Sequence, residues 1–301
     1  MVPDGLCDDP EDGFWQGRSC VSGLVRAGGR LGLGGLFPAL EQRAACSPVL
    51  AAAQVEFREP VPIGIDTASA PVTCALAGSS LLIGGAVGSG VSCAAQHVAA
   101  AAVLDPAVRL SVFDGYPLDA DWACFRPLAA DFTMGSGPEQ VDTVREALGG
   151  LAAELDARLG RAPAQFGQRL VLVANAEHYT TDRHHGAEIT CLLAKIVHLG
   201  PFGGLALVLT THRPYKVLQG GLGCGIGHRL ALHAGRSSSA AILGAGLEQR
   251  LGVYACELRK PGTGILASGG TASLVHCYHL GSRDLATACR TAALARGLED
   301  R

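Results

Sequence analysis

The sequence predicts an α/β fold in which a mostly parallel β-sheet is flanked by helices, and three observations support this prediction. Five apolar runs are too short for helices and lack the alternation of polar and apolar residues, as is typical of strands buried on both faces. Between them lie segments with apolar residues at steps of three and four, which indicate amphipathic helices. The 301 residues, 48% of them hydrophobic and 17% charged, are sufficient for a large packed core.

The predicted elements alternate along the chain. Strands are predicted at the apolar runs 81–83, 110–113, 170–173, 205–209 and 230–232. Helices are predicted at the Ala-rich segment 92–104, at 139–159 and at 284–298. This alternation favours a parallel sheet, whose ligand site lies beyond the carboxyl ends of the strands. The loops that follow the predicted strands are therefore the first places to look for a functional site.

Composition divides the chain into three segments. Residues 1–55 begin with an acidic stretch and continue with many glycines, a composition that favours loops, and we interpret them as a poorly specified N-terminal extension. Residues 56–282 carry the alternating pattern of strands and helices. Residues 283–301 contain an amphipathic segment that we predict to be a C-terminal packing helix.

Charge and cysteine usage exclude several classes of protein. With 24 basic and 27 acidic residues, the chain has no overall positive field for nucleic acid or anionic lipid, so any DNA contact must be local. The 11 cysteines include no C-x-x-C pair, which argues against a zinc ribbon and favours buried thiols in a reducing cytosol. The acidic N-terminus is unlike a signal peptide, and no uncharged apolar run reaches the roughly 18 residues of a spanning helix. We expect a cytoplasmic protein without a membrane span of its own, or one that a partner recruits to the inner face of the cell membrane.

A glycine-rich loop connects the first predicted strand to the following helix. It matches the pattern G-x-x-x-x-G-K-[S/T] of a phosphate-binding loop at every position except the lysine, through Gly85, Ala86, Val87, Gly88, Ser89, Gly90, Val91 and Ser92. In such a loop backbone N–H groups and the helix N-terminus bind phosphate, the lysine neutralises its charge and the hydroxyl group binds Mg²⁺. Ser92 is thus the candidate metal ligand, and Val91 stands in place of the lysine. We expect this loss to weaken triphosphate binding about ten- to a hundredfold. The alternative is a glycine-rich turn that never binds nucleotide.

Three further segments accompany this loop. The residues Val-Pro-Ile-Gly-Ile-Asp at 61–66 precede it, Thr-Thr-His-Arg-Pro at 210–214 end a later strand, and an S-x-x-x-x-I-L stretch at 237–243 leads to a glycine-rich turn. In their order and spacing these segments resemble the motor domain of FtsK/SpoIIIE translocases, over roughly residues 57–270. The resemblance implies a RecA-like P-loop NTPase core at 56–282, ATP with Mg²⁺ as cofactor and assembly into a ring. It also implies a polymer substrate, either double-stranded DNA or a peptide secreted by a type VII system.

The resemblance also identifies what this chain lacks. In the family, two acids follow the strand that matches 170–173; the first holds Mg²⁺ through water and the second orients the attacking water. Here these positions are Ala174 and Asn175, and neither supplies a carboxylate. The nearest acid, Glu177, is two positions late, so we expect its carboxylate to lie beyond the reach needed for direct proton transfer. His212 replaces the glutamine that contacts the γ-phosphate in the family, and histidine also donates hydrogen bonds.

These residues lead to one principal hypothesis and two alternatives. The principal hypothesis is a catalytically impaired nucleotide-binding protein, a pseudo-ATPase that binds ATP with Mg²⁺ weakly or not at all. It would have a scaffolding or regulatory role in a ring-type homo- or hetero-oligomer with an active paralogue. One alternative is an active translocase of double-stranded DNA in which Glu177 replaces the lost acids. The other is an interaction module that retains the fold without nucleotide.

Several weaker patterns are interpreted as structural or remain candidates for DNA contact. Two histidine groups lack a matching second half of a zinc site and are read as surface or core residues: His184 and His185, and His276, Cys277 and His279. The glycine-rich segment 221–227 does not fit the spacing of a dinucleotide fingerprint and is predicted to be a loop. The local candidates for DNA contact are Arg213, Lys216, Arg229 and Arg236.

Overall fold

The computed structural model describes residues 47–48, 55–117, 121–161 and 166–298. Its strands are β1 Val61–Ile65, β2 Pro71–Cys74, β3 Ser80–Gly84, β4 Arg109–Asp114, β5 Ala129–Met134, β6 Arg169–Ala174, β7 Leu205–Thr211, β8 His228–Leu232, β9 Thr263–Ser268 and β10 Thr271–Cys277. Its α-helices are α1 Val91–Leu104, α2 Pro138–Arg158, α3 Glu177–Thr180, α4 Gly186–Gly203, α5 Pro214–Val217, α6 Arg236–Leu243, α7 Leu247–Leu251 and α8 Ser282–Ala295. Short 3-10 helices lie at Ala123–Leu128, Leu222–Gly225 and Ala255–Glu257. Within the described ranges, no helix is long and apolar enough to cross a membrane.

The ten strands of the described residues form one sheet in the order β2-β1-β10-β9-β8-β3-β7-β6-β4-β5. The six strands from β8 to β5 run parallel, and Leu81 of β3 lies opposite both Val208 of β7 and His228 of β8. The other four strands continue the sheet by antiparallel pairing, with Gly64 of β1 opposite Cys277 of β10. The prediction of an α/β fold with a mostly parallel sheet and flanking helices is confirmed.

All five predicted strands are present and are longer by one or two residues at one or both ends. The three predicted helices correspond to α1, α2 and α8. Strands β1, β2, β5, β9 and β10 and helix α4 were not predicted. Helix α4 contains a proline, Pro201, near its end, and proline ordinarily indicates a break, so the sequence pattern obscured this helix. The segment 221–227, predicted as a loop, contains one short 3-10 helix ahead of β8.

The hydrophobic core lies in two layers on opposite faces of the sheet. Leu81 and Ile83 of β3 face the layer covered by α1 and α8, and Leu82 between them faces the layer covered by α2 and α4. Helix α1 is buried on nearly all sides because it lies between the sheet and α8, and the alanines at 99–102 are fully buried. Small side chains permit this close approach on two sides. The N-terminus of α1 is therefore held firmly at the carboxyl end of β3.

The described part of the predicted N-terminal extension includes Ser47, whose side chain is buried against His97 of α1. Its hydroxyl group lies 3.3 Å from Nδ1 of His97, and Nε2 of His97 donates to the carbonyl oxygen of Pro62 at 2.7 Å. Burial lowers the pKa of His97 to about 4, so the ring is neutral at pH 7. Residues 1–46 and 49–54 lie outside the described residues.

Candidate functional site

The glycine-rich loop runs from the end of β3 to the start of α1. Gly88 and Gly90 have φ angles of 81° and 102°, in the region that L-residues with a side chain rarely adopt. The first helical bond of α1 runs from the Ala94 N–H group to the Gly90 carbonyl oxygen, and α1 has no side-chain cap. The N–H groups of its first turn therefore face the loop without intrahelical acceptors, as anion-binding helix N-termini do.

Neighbouring strand ends hold the loop in place. The N–H group of Ala86 donates to His233 just after β8 at 2.7 Å, and the N–H group of Gly262 just before β9 donates to Ser89 at 2.8 Å. A Cβ atom added to Gly85 would lie 2.4 Å from the Ser89 hydroxyl oxygen, so a side chain at this position would push the loop open. The backbone shape of a phosphate loop is thus specified by glycines and by three strands of the sheet.

Val91 occupies the position of the expected lysine. Its side chain is only 3% exposed and belongs to the core layer that contains α1. A branched apolar group here packs against the loop and provides no charge for a phosphate. Among the described residues that line the two cavities beside the loop, there is no lysine or arginine.

Two cavities meet at this loop, and both are lined by Val87, Ser92 and His212. The first has a volume of about 320 Å³ and extends towards Asp114 and Asn175 at the ends of β4 and β6. The second has a volume of about 480 Å³ and extends across the start of α1 towards the ends of β9 and β10. Each volume lies in the usual range of small-ligand sites. Val87, at the loop apex, is 86% exposed.

Asp114, which is buried, and Asn175, which is partly buried, form a hydrogen-bonded pair in the first cavity. Asn175 Nδ2 donates to Asp114 Oδ1 at 2.7 Å, and Asp114 also accepts from the Trp122 indole N–H and the Tyr116 backbone N–H, both at 2.9 Å. Burial raises the pKa of the Asp114 carboxyl, and these three donors oppose that rise. Asn175 has a φ angle of 49°, which asparagine tolerates better than most residues. The side-chain amide of Asn175, the residue matched to the second family acid, is therefore already hydrogen-bonded to a carboxylate at the end of the neighbouring strand.

Ala174, at the position of the first family acid, is buried at the end of β6 and carries no group that binds metal. Glu177, at the start of α3, is 6% exposed, and its Oε1 accepts from the backbone N–H of His212 at 3.1 Å. Its Oε2 is buried and has no hydrogen-bond partner within the described part of the chain. Glu177 is not among the described residues that line either cavity. Its carboxylate lies behind the backbone of His212.

His212 follows β7 and faces both cavities. Its Nδ1 lies 2.7 Å from the carbonyl oxygen of Gly85, the first residue of the loop. Because a carbonyl oxygen only accepts, Nδ1 carries the proton in this contact, and Nε2 is the nitrogen left for the cavities. The ring is therefore fixed to the loop on one side and presents its second nitrogen to any ligand on the other.

The group His276, Cys277 and His279, interpreted from sequence as surface or core residues, lines the second cavity. Burial and then the nearby Lys260 lower the pKa of His276, and burial raises the pKa of Cys277 to about 12. No cluster of three metal-binding side chains occurs among the residues with described positions. Pairing of β10 with β1 and β9 brings this group to the loop, and no local sequence signal indicates that pairing.

The other weak motifs have structural contacts. The backbone N–H groups of His184 and His185 donate to Asp182 at 2.9 and 2.8 Å, which forms the turn ahead of α4. Of the candidates for DNA contact, Arg229 donates to the carbonyl oxygens of Gly223 and Ile242 and so serves within the fold. The guanidinium group of Arg236 lies over the Tyr254 ring at 4.3 Å. Arg213 and Lys216 are exposed beside His212.

The fold is that of the ATPase domains of FtsK/SpoIIIE type, in agreement with the resemblance seen in the sequence. EssC from Geobacillus thermodenitrificans, in a structure of its ATPases 2 and 3, superposes with a TM-score of 0.66 at 14% identity, over 83% of this chain and 51% of that one. The cytoplasmic domain of the type VII secretion ATPase EccC from Thermomonospora curvata gives 0.65 at 18% identity, over 80% and 32% of the two chains. The pCW3 conjugation coupling protein TcpA, in its monomer form with ATPγS, gives 0.65 at 14% identity, over 79% and 71%. The chain thus spans about a third of the solved EccC chain and half of the solved EssC chain. No protein-family model matches the sequence, and comparison with curated protein sequences finds no match.

Proposed function

We propose that this chain is a catalytically impaired nucleotide-binding subunit, a pseudo-ATPase with a scaffolding or regulatory role in DNA translocation or type VII protein secretion. It would join a ring-type homo- or hetero-oligomer with an active paralogue. ATP, with or without Mg²⁺, is the proposed ligand, bound weakly by the loop 85–92, with Ser92 as the candidate Mg²⁺ ligand. The family fold and the ATPγS complex of TcpA support a nucleotide as the ligand.

One observation carries this proposal: the loop keeps its phosphate-binding backbone while the groups that act on phosphate are replaced. The side chain at the lysine position, Val91, is turned into the core. The amide of Asn175, at the position of the water-orienting acid, donates a hydrogen bond to Asp114 and supplies no carboxylate. Backbone N–H groups alone still favour an anion.

The expected loss in the rate of ATP hydrolysis can be estimated from the missing groups. Loss of one acid–base group costs about 10²–10⁴ in rate. Loss of one preorganised electrostatic contact costs about a further 10²–10³. Even if these effects overlap in part, we expect ATP hydrolysis to be negligible.

The proposed partners come from the two contexts in which neighbours of this fold work. EccC is a type VII secretion ATPase and TcpA a conjugation coupling protein. A secreted peptide and double-stranded DNA are therefore the two polymer substrates to test. Arg213 and Lys216 are exposed on the same edge of the sheet as the loop and are the basic residues best placed for a DNA backbone.

Calorimetric titration with ATP and Mg²⁺ tests nucleotide binding. The wild-type chain is compared with Val91→Lys and with Val91→Met, an uncharged side chain of similar length that controls for the change in shape. We expect weak binding by wild type, binding about ten- to a hundredfold tighter by Val91→Lys and no gain for Val91→Met. No heat from any of the three at millimolar ATP would instead favour an interaction module without nucleotide.

A second candidate function is an active DNA translocase in which Glu177 acts as the catalytic carboxylate. The buried Oε2 of Glu177, which has no hydrogen-bond partner among the described residues, favours it, because such an oxygen is available for a further contact. The side chain would have to rotate past the His212 backbone to reach the first cavity. DNA-stimulated phosphate release that Glu177→Gln abolishes, with nucleotide binding unchanged, would support this candidate over the first.

A further inference from the structure

We propose that protonated His212 is the phosphate-binding cation of this site, so that a phosphate-bearing ligand binds together with a proton. The inference rests on the proposed nucleotide-binding function and identifies the residue that supplies the charge absent at Val91. The ligand class is a nucleoside di- or triphosphate bound at the loop 85–92.

The hydrogen bonds of His212 decide what its ring can do. Nδ1 donates to the Gly85 carbonyl oxygen at 2.7 Å, and this contact is available to both the neutral and the charged ring. In the neutral ring Nε2 has a lone pair and only accepts, as a phosphate oxygen does. Two acceptors repel each other, so the neutral ring of His212 disfavours a phosphate beside it. In the imidazolium Nε2 becomes a charged donor, which forms short and strong bonds to phosphate oxygens.

The ring also lies where such a donor is needed. His212 lines both cavities, and its Nδ1 contact attaches it to the first residue of the phosphate loop. Its backbone N–H is held by Glu177 on α3. With the backbone and Nδ1 both fixed, binding of a ligand requires little reorganisation of the ring, which preserves the energy of the new contact.

The charged residues that line the first cavity with His212 are acidic, and the cations nearest to it in the chain, Arg213 and Lys216, are exposed and are not among the residues that line either cavity. Asp114 and Asp121 share the first cavity with it, and Glu177 lies behind its backbone. All three disfavour an unaccompanied anion in the cavity. In the described part of the chain, neither cavity is lined by a lysine or arginine that would perform this role.

The second cavity offers weaker alternatives. His276 lines it, but burial and Lys260 lower the pKa of its ring, so it takes up a proton less readily. Its Nδ1 is already within 3.0 Å of the Thr263 hydroxyl group. His279 is exposed at the cavity rim. The remaining titratable groups are thiols and phenols, whose neutral forms carry no positive charge: Cys93, Cys277, Tyr116 and Tyr278.

The test measures magnesium-free ATP binding by calorimetry, in EDTA, at about pH 8 and about pH 5.5, which span the ordinary titration of histidine. We expect wild-type affinity to rise about ten- to a hundredfold more on acidification than that of His212→Gln. The glutamine variant retains a donor that does not titrate. The pH dependence of its ATP affinity therefore comes from the other titrating groups, which are the ATP phosphates, with a pKa of about 6, and the carboxyl groups of the protein.

His276→Gln and His279→Gln are the matched controls, and both are expected to keep the full wild-type pH dependence. The proposal is overturned if either control removes that dependence, or if wild type and His212→Gln respond equally to pH. Binding that is equally tight at both pH values would overturn this inference alone. Absence of binding at both values would overturn the proposed nucleotide-binding function as well.

A second measurement keeps the proposal testable if His212→Gln fails to fold. Histidine side-chain ¹H–¹⁵N spectra of the wild-type chain give the titration of His212 directly. Saturating ATP is expected to raise the pKa of His212 by about one to two units, since a ligand that binds a hundredfold tighter to the charged form shifts its titration by two. An unchanged or lowered pKa of His212 in the presence of bound ATP would contradict the proposal.

Discussion

Replacement of Asn175 by aspartate is expected to destabilise the fold strongly at pH 8 and less at pH 6. Asparagine and aspartate have the same shape and tolerate the same left-handed backbone, here at φ 49°. The substitution therefore changes one interaction: the donor 2.7 Å from the Asp114 carboxylate becomes a second carboxylate. In the wild-type chain the neutral amide of Asn175 donates a hydrogen bond to Asp114 without adding a second negative charge.

The magnitude of the destabilisation follows from the burial of Asp114 and the partial burial of Asn175. Loss of a hydrogen bond to a charged group costs about 1.5–3 kcal/mol, and an uncompensated buried charge raises the cost to about 3–5 kcal/mol. One carboxyl of the new pair can relieve the repulsion by taking up a proton. Its folded pKa then lies above its unfolded value, so its contribution to stability is present at low pH and is lost as the pH rises. Between pH 8 and pH 6 we expect up to about 2.7 kcal/mol to be recovered.

Urea unfolding of wild type, Asn175→Asp and Asn175→Ala at both pH values measures these effects. Asn175→Ala removes the donor without adding charge, so its cost is expected to be independent of pH. The exchange variant Asp114→Asn/Asn175→Asp restores one amide and one carboxylate and is expected to recover part of the lost stability. If Asn175→Asp lies within about 0.5 kcal/mol of wild type at pH 8, the charge-matching explanation is wrong.

Three further effects on stability are expected, each measured by chemical or thermal unfolding. Arg169→Met should cost about 2 kcal/mol of stability, since the 8% exposed guanidinium group of Arg169 pairs with two partly exposed carboxylates. Lys195→Ala, which breaks a surface ion pair, should cost under about 1 kcal/mol. Equal costs for the two variants would contradict the argument from burial. Because the pKa of His97 in the fold is about 4, its contribution is present above pH 6.5 and is lost as the pH falls towards 4, by about 3 kcal/mol. His97→Gln should flatten that slope, and an unchanged slope would contradict the assignment. Gly64→Ala should cost more than about 2 kcal/mol, because its Cβ would lie 2.2 Å from a backbone oxygen of β10. Gly150→Ala, in open space on α2, should stabilise by about 0.5–1 kcal/mol, and the opposite order of the two glycine variants would refute the packing argument.

The sequence predicts the parallel half of the sheet well because its signals are local. An apolar run, a glycine loop and an Ala-rich helix follow one another at β3 and α1, and their physical consequences need no distant partner. The antiparallel half is different. Gly64 lies opposite Cys277, more than 200 residues away in the chain, and no local pattern specifies such a pairing.

At the candidate site, too, the residue types can be predicted from the sequence, whereas their contacts depend on the pairing of distant strands. The sequence shows that Ala174 and Asn175 carry no carboxylate, but the bond from Asn175 to Asp114 depends on β4 lying beside β6. The orientation of the His212 ring likewise depends on a carbonyl oxygen of Gly85, brought beside it by the pairing of β3 with β7. Glu177 can be singled out as the nearest acid, yet its position behind the His212 backbone follows from the turn at α3.

The most direct test of whether this site binds nucleotide without hydrolysing it is a measurement of phosphate release from ATP. The measurement is made in the presence of Mg²⁺ on the purified wild-type chain and on Val91→Lys. We expect tighter binding in the lysine variant and no release above background in either protein, because a restored cation replaces neither missing carboxylate. Rapid release by the wild-type chain, or by Val91→Lys alone, would contradict this.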